Sequence, residues 1–345
     1  MYIRKILVAI AIISVLGLTY LSYTIYEAVF SPNTAFQASE QPFYISKKDN
    51  FDSIIKKLDP LLKDTSSFLQ VAQRKKYEPR SGHFILKKGM NNNDLVNMLR
   101  SQNIPVDITF NNAESLKELS ENLSNQLDLT SEEILEAFAE NSTINDLKLN
   151  KQQQLSLFIP NTYEVYWNLK AEDLTERLLK EYNKFWNAER EAKRQKLNLS
   201  RIEVATLASI VQKETAKVDE RPKVAGVYIN RLKRSMKLEA DPTVVFAIKQ
   251  KYNKPDTIIR RVLFKDLEID SPYNTYKNYG LPPAPLIMPD VSSIDAVLNY
   301  QKHNYLFFVA DMENPGYHVF AKTLSQHNKN ANAYRKWINK QGIYR

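Results

Sequence analysis

The hydropathy pattern opens with an uninterrupted apolar run. Ile6 to Ile25 reads ILVAIAIISVLGLTYLSYTI, 20 residues without a charge. At about 1.5 Å of rise per residue, a helix of that length crosses about 30 Å of hydrocarbon. Tyr20, Tyr23 and Tyr26 fall where an interfacial aromatic belt belongs. Arg4 and Lys5 precede the run, and no basic residue follows until Lys47. The positive-inside rule therefore predicts a single-pass anchor over 1–30, with a cytoplasmic N-terminus and the rest of the chain outside. No small-x-small cleavage site closes the run, which favours an anchor over a removed signal peptide.

The pattern then turns polar. Residues 31–41, SPNTAFQASEQ, are uncharged up to Glu40 and predict a linker. Residues 42–103 predict a small β-α-α-β domain: a strand in PFYIS, helices over Phe51–Leu62 and Ser66–Arg74, and a second strand in SGHFIL. Leu95, Met98 and Leu99 form a helical stripe behind it. Small domains of this pattern often bind glycan chains. From Ile104 onward a strand over Ile104–Phe110 is followed by helices over Ser115–Leu127 and Ser131–Glu140, then by helices mixed with short strands. This second domain, 104–345, lacks βαβ alternation and predicts an α+β class.

One helix places a carboxylate unusually. Ser200-Arg201-Ile202-Glu203 fits a capping box, which accounts for Glu203 structurally. Leu207, Ile210 and Val211 continue at helical spacing, and the same stripe arrives at Glu214. Burial penalises the ionised carboxylate and raises its pKa, as a general acid near neutral pH requires. Pairing with an arginine at the helix end would account for that position equally well. Glu220, in the charged turn Asp219-Glu220-Arg221, ranks second because a turn position predicts better solvation.

Val224, Val227, Tyr228 and Leu232 make the stripe of the next helix, with Asn230 and Arg231 near its end. Each of those two side chains suits either a ligand or a structural partner. Asp241-Pro242 interrupts the chain, and Thr243 can open a new helix. Tyr273, Asn274 and Tyr276 lie in a Tyr- and Pro-rich loop, SPYNTY followed by GLPPAP. Aromatic faces and amides suit sugar rings, although such loops are also rigid connectors.

Composition narrows the chemistry. The 345 residues, 43% hydrophobic and 25% charged, provide for about two globular domains. Seven glycines assemble no phosphate-cradling loop, and with no cysteine there is no disulfide, zinc ribbon or thiol nucleophile. His83, His303, His318 and His327 lack metal-ligand spacing, so neither a metal nor another cofactor is expected. Lys and Arg exceed Asp and Glu by 48 to 39, a formal charge of +9, but the basic residues are scattered and predict no nucleic-acid partner.

In order along the chain, Ala208-Ser209-Ile210-Val211-Gln212-Lys213-Glu214-Thr215, Glu220-Arg221, Asn230-Arg231-Leu232, Asp241-Pro242-Thr243-Val244, Ser271-Pro272-Tyr273-Asn274-Thr275-Tyr276 and Gly280-Leu281-Pro282-Pro283 resemble the endolytic murein transglycosylase (YceG-like) family. Phe158-Ile159-Pro160-Asn161-Thr162-Tyr163 fits as well, and the first domain would be LysM-like. The resemblance implies a lyase of the inner membrane that cleaves the MurNAc-β-1,4-GlcNAc bond of nascent peptidoglycan strands. Its products would be 1,6-anhydro-MurNAc ends, and the cut would terminate strand elongation. Glu214 would be the single catalytic acid/base. Tyr228, Asn230, Glu239, Asp241, Thr243, Tyr273, Asn274 and Tyr276 are candidates for the glycan cleft.

Peptidoglycan synthases of the elongation or division machinery would be partners, and the positive charge would meet anionic lipid heads or the carboxylates of wall peptides. Gln212 stands where the family has the first Glu of Glu-Lys-Glu, which favours Glu214 as the acid. Leu155-Ser156 replaces the usual Glu-Gly, and Asn161 stands where Asp is common. A non-catalytic, membrane-anchored peptidoglycan-binding scaffold is the alternative, and hydrolysis by water a third reading.

Overall fold

The computed structural model describes residues 2–254, 257–259 and 262–340, the last by its backbone alone. The expected domain end at 345 lies outside them. The apolar run forms α1 (Tyr2–Phe30), which has no buried residue and is long and apolar enough to cross a membrane. The remainder is a mixture of helices and two-stranded sheets. It divides into two compact units: Met1–Ile108 with Gln126–Leu129 and Tyr163–Lys170, and Thr109–Asn125 with Thr130–Thr162 and Ala171–Arg345.

In the first unit, β1 (Glu40–Ile45) is followed by α2 (Phe51–Leu58) and α3 (Thr65–Arg74), then β2 (Gly82–Lys87) and α4 (Asn92–Ser101). The strands pair antiparallel, with Glu40 opposite Lys87 and Ile45 opposite Gly82. Phe43, Ile45, Phe68, Phe84, Leu95 and Leu99 belong to its core. Asn50, Asp64 and Asn91 cap the three helices through their side chains. α2 stops at Leu58, short of the expected Leu62. Pro60 has no N–H to continue the ladder, and Asp59–Leu61 tighten into a 3-10 turn.

Residues 31–39, polar enough to predict a linker, run along this unit and bury Asn33 and Thr34. The Asn33 amide donates to Asp64 O (2.8 Å) and Asn92 Oδ1 (2.7 Å). Asn92, itself buried, donates to Ala28 O at the end of α1 and to Ser67 Oγ (2.8 and 2.9 Å). A polar knot thus ties the last turn of α1 to α3 and α4.

The second two-stranded sheet, β3 (Pro105–Phe110) with β4 (Asn161–Tyr166), has residues in both units. Between these strands lie α5 (Leu116–Ser124), α6 (Ser131–Glu140), α7 (Ser142–Asp146) and α8 (Lys151–Gln154). α6 is capped by Thr130, whose capping box uses Glu133. Next come α9 (Ala171–Phe185), α10 (Ala188–Leu197), α11 (Arg201–Glu214), α12 (Arg221–Lys233), α13 (Asp241–Tyr252) and α14 (Val291–Leu298). A hairpin of β5 (Phe307–Ala310) and β6 (His318–Ala321), with Phe308 opposite Phe320, leads into α15 (Leu324–Lys340), which packs on both strands.

α11 is the axis of the second unit, with α12, α13 and α14 packed against it. Sequence periodicity predicts one apolar stripe, yet every residue from Val204 to Val211 is buried. The small side chains Ala205, Ala208 and Ser209 admit neighbours on the remaining faces. Ser209 bridges two of them: its hydroxyl donates to Thr206 O (2.7 Å) and accepts from Leu286 N (2.9 Å).

The C-terminal end of α11 is clamped. Arg221, buried at the start of α12, donates through Nε to Thr215 O (3.4 Å) and through Nη1 to both Asp290 oxygens (3.0 and 2.8 Å). Asp290 caps α14 by accepting from Ser293 N (2.7 Å), while its own N–H donates to Gln212 Oε1 (2.8 Å). Gln212 is thereby committed to the start of α14. Burial works against ionisation of Asp290, but the hydrogen bonds from Ser292, Ser293 and Arg221 prevail and hold its pKa below 3.8.

Two stability effects are expected. Asn92→Ala leaves Asn33 and the Ala28 carbonyl without their partner and should cost about 2 kcal/mol in denaturant unfolding. Asp290→Asn should cost a similar amount, about 2 kcal/mol, near neutral pH. Because the native pKa of Asp290 is depressed, its stabilisation is complete above the unfolded value of 3.8 and is lost as pH falls below it. The gap between wild type and Asp290→Asn should therefore shrink in that acid range, as unfolding at a series of pH values will measure.

Candidate active site

α11 begins in the expected capping box, with Glu203 N donating to Ser200 Oγ (3.1 Å) and Ser200 N to Glu203 Oε2 (2.7 Å). It ends on Glu214, after which Thr215 turns extended. Glu214 is half-buried, and its Oε1 accepts a hydrogen bond from the Tyr228 hydroxyl at 2.7 Å. Its Oε2 has no protein hydrogen bond among the described residues. Burial pushes the Glu214 pKa up to about 7, with the charge of Asp241 acting in the same direction. The Tyr228 hydrogen bond and the Arg231 charge oppose that rise without cancelling it. The partial negative charge at a helix C-terminus further disfavours the carboxylate.

Tyr228 comes from α12 and is 2% exposed. Burial, reinforced by Glu214, holds its hydroxyl far above the ordinary tyrosine value, so it remains a donor. Phe308 closes on its ring edge-on at 6.0 Å between centroids. Gly226, one turn before Tyr228, permits close packing of the 301–303 segment: a Cβ there would lie 2.5 Å from Gln301 O.

Two cavities meet at Glu214 and Asp241, which line both. The larger, about 750 Å³, also contains Lys213, Phe246, Lys249 and Leu286, with Tyr334 and Ile338 from α15. The smaller, about 380 Å³, contains Tyr228, Arg231, Glu239 and Tyr276, with Phe307 from β5 and His327 from α15. A cleft therefore extends from the carboxyl group as two lobes, and α15 contributes to both. Tyr276 donates to Asp241 Oδ1 at 2.6 Å. Arg231 donates to Glu239 Oε2 (3.0 Å) and to the carbonyls of Leu306, Lys237 and Leu238. Glu239 has a φ of +49°, a left-handed conformation costing a non-glycine residue about 1–2 kcal/mol. Its N–H bond to Thr275 O (3.2 Å) and the Arg231 pair hold it there.

Of the eight residues predicted for a glycan cleft, Tyr228, Glu239, Asp241 and Tyr276 line the smaller lobe together with Glu214. The other four line neither lobe and are engaged internally. Asn230 donates to His303 O (2.7 Å) and Tyr305 O (3.0 Å). Thr243 is buried and donates to Ala240 O (2.6 Å). Asn274, fully buried, donates to Leu267 O and Ile269 O, both at 2.8 Å. Tyr273 is buried against Phe246, with ring centroids 4.6 Å apart. Ser156 donates to Gln153 O, and the exposed Asn161 accepts from Thr162 N.

Glu220 departs from expectation. Its turn is not solvated: the side chain is 4% exposed, accepts from His318 N (2.7 Å) and lies 2.8 Å from His318 Nδ1. β6 covers this turn, and that pairing has no local sequence signal. The α15 residues at the cleft lack a motif as well. His327, Tyr334 and Ile338 follow helical spacing, but nothing local directs that stripe to a carboxylate more than a hundred residues earlier.

Comparison with known proteins is consistent across sequence and fold. The YceG-like family profile matches residues 43–333. Over 300 residues the chain is 31% identical to the endolytic murein transglycosylase of Bacillus subtilis (strain 168), spanning 82% of this chain and 80% of that protein. Over 171 residues it is 34% identical to the endolytic murein transglycosylase of Streptococcus pneumoniae serotype 2, spanning 50% of this chain and 30% of the relative. A crystal structure of a YceG-like protein from Listeria monocytogenes superposes with a TM-score of 0.55 at 25% identity, covering 84% of this chain and 98% of that one. Matched through both units and aligned along most of a bacillary relative, the chain belongs to the YceG-like family.

Proposed function

We propose that this chain is a membrane-anchored endolytic murein transglycosylase in which Glu214 is the acid and then the base. The observation that carries the reading is the half-buried Glu214 carboxyl, bonded to Tyr228 where two lobes of a cleft meet. A cleft that continues on two sides of the reacting group suits a cut within a strand. With a pKa of about 7, a large fraction of Glu214 is protonated at neutral pH.

In the first step the Glu214 proton passes to the glycosidic oxygen as the bond from that oxygen to muramyl C1 breaks. Tyr228 occupies Oε1, leaving Oε2 to carry the proton. Asp241 and Glu239 place negative charge near the cationic sugar ring that develops. In the second step the C6 hydroxyl of the same muramyl residue attacks C1 and returns its proton to Glu214. An internal hydroxyl competes well with water because its effective concentration is so high. The 1,6-anhydro end forms, no water is consumed and the acid is regenerated. One carboxyl group thus performs the work that ordinary glycosidases divide between two.

The same reading assigns α1 as a single-pass anchor with its N-terminus in the cytoplasm, and the first unit as a LysM-like glycan-binding module. Cutting nascent strands beside a peptidoglycan synthase would end their elongation. A hydrolytic reading has one observation in its favour: Asp241 is exposed at both lobes, where it could activate water. Mass spectrometry separates the two, because anhydro ends are lighter than hydrolysed ends by one water.

Glu214→Gln should fold, retain glycan affinity and release no anhydro ends from purified sacculi; cleavage by this variant would refute the assignment, whereas absence of cleavage by wild type would favour a binding scaffold. For the wild-type enzyme, kcat/KM should fall as pH rises through about 7, where Glu214 loses its proton. Tyr228→Phe removes a hydrogen bond that lowers this pKa, so the falling limb of the pH–rate profile should move to higher pH.

A further inference from the structure

The two lobes differ in chemistry. In the smaller, the Arg231 guanidinium already serves Glu239 and three carbonyls, and the remaining polar lining is acidic or phenolic. The larger lobe has an apolar wall that includes Phe246, Leu286, Ile287 and Ile338, with three cations: Lys213, Lys249 and Arg335. One carboxylate, Glu114, serves both lysines, at 2.9 Å to Lys213 and 3.4 Å to Lys249. Arg335 has no carboxylate partner among the described residues.

Neutral sugar rings have no use for an excess of cations beside an aliphatic wall. An occupant that needs both carries carboxylates and alkyl groups on one flexible chain. Murein supplies such a chain on the same polymer, in the peptide stem attached to the lactyl group of each muramyl residue. The volume of about 750 Å³ lies within the range of sites that enclose a small organic ligand, so it has room for a short peptide beside the glycan.

We propose that the larger lobe is a stem-peptide subsite, in which Lys249 and Arg335 bind peptide carboxylates while Phe246, Leu286 and Ile338 receive the aliphatic groups. This rests on the murein reading above and deepens it: the substrate is peptide-bearing glycan, distinguished from glycan stripped of its stems. The charge-assisted contacts orient the strand by a group remote from the bond that breaks.

The test compares full-length protein in detergent on two polymers, uncrosslinked stem-bearing glycan and the same glycan denuded by an amidase, counting anhydro ends from each. The wild type should prefer the stem-bearing polymer in kcat/KM. Lys249→Gln combined with Arg335→Gln should reduce that preference about tenfold, the loss of one charge-assisted hydrogen bond. Lys249→Arg should retain it, and an unchanged unfolding midpoint will show that the variants fold. Equal cleavage of both polymers by wild type, or a loss on denuded glycan as large as on the stem-bearing one, overturns the subsite alone. Absence of anhydro ends from both polymers overturns the transglycosylase reading and the subsite with it.

Discussion

The site depends on a competition at one carboxyl group. Removing Glu214 from water disfavours its ionised form, while the 2.7 Å hydrogen bond from Tyr228 favours it. Desolvation wins, and the displacement from 4.5 to about 7 corresponds to on the order of 3 kcal/mol against ionisation. Because the native pKa is raised, this group costs stability as pH rises from its unfolded value through about 7, so the fold carries a local strain that must be offset elsewhere. Removing that cost by solvating the carboxyl would also remove the acid.

The surrounding architecture holds the group in that condition. α11 is buried on all sides from Val204 to Val211, which leaves its last residue little freedom to swing into solvent. Arg221 ties the Thr215 carbonyl to Asp290 and hence to the start of α14, immediately beyond Glu214. The tight passage of α12 at Gly226, supported by the Asn230 bonds to the 303–305 backbone, sets the helix that carries Tyr228. Several polar side chains near the cleft are therefore better understood as parts of its frame than as its lining.

That distinction limits what the sequence could reveal. The apolar run of α1, the Ser200–Glu203 cap and the arrival of a helical stripe at Glu214 are local patterns, and each was legible without coordinates. Asn230, Thr243 and Asn274 have the residue types of sugar contacts, but a backbone carbonyl and a sugar hydroxyl make the same demand on an amide or hydroxyl. Only the fold shows that these three meet protein groups. Glu220 looked solvated because its partner His318 lies 98 residues away, and the Asn33–Asn92 knot spans 59. The place of α15 at both lobes is equally long-range, and Lys213, Lys249 and Glu114 form a cluster only after three distant segments meet.

The most direct test of a neutral, half-buried carboxyl is its own titration. Full-length protein carrying 13C-labelled glutamate, with the Glu214 carboxyl resonance assigned by its absence in Glu214→Gln, should show that resonance titrating with a midpoint about 7. A midpoint near 4.5, the value of an ordinary glutamate, would mean that the group is already ionised at neutral pH and would contradict the account.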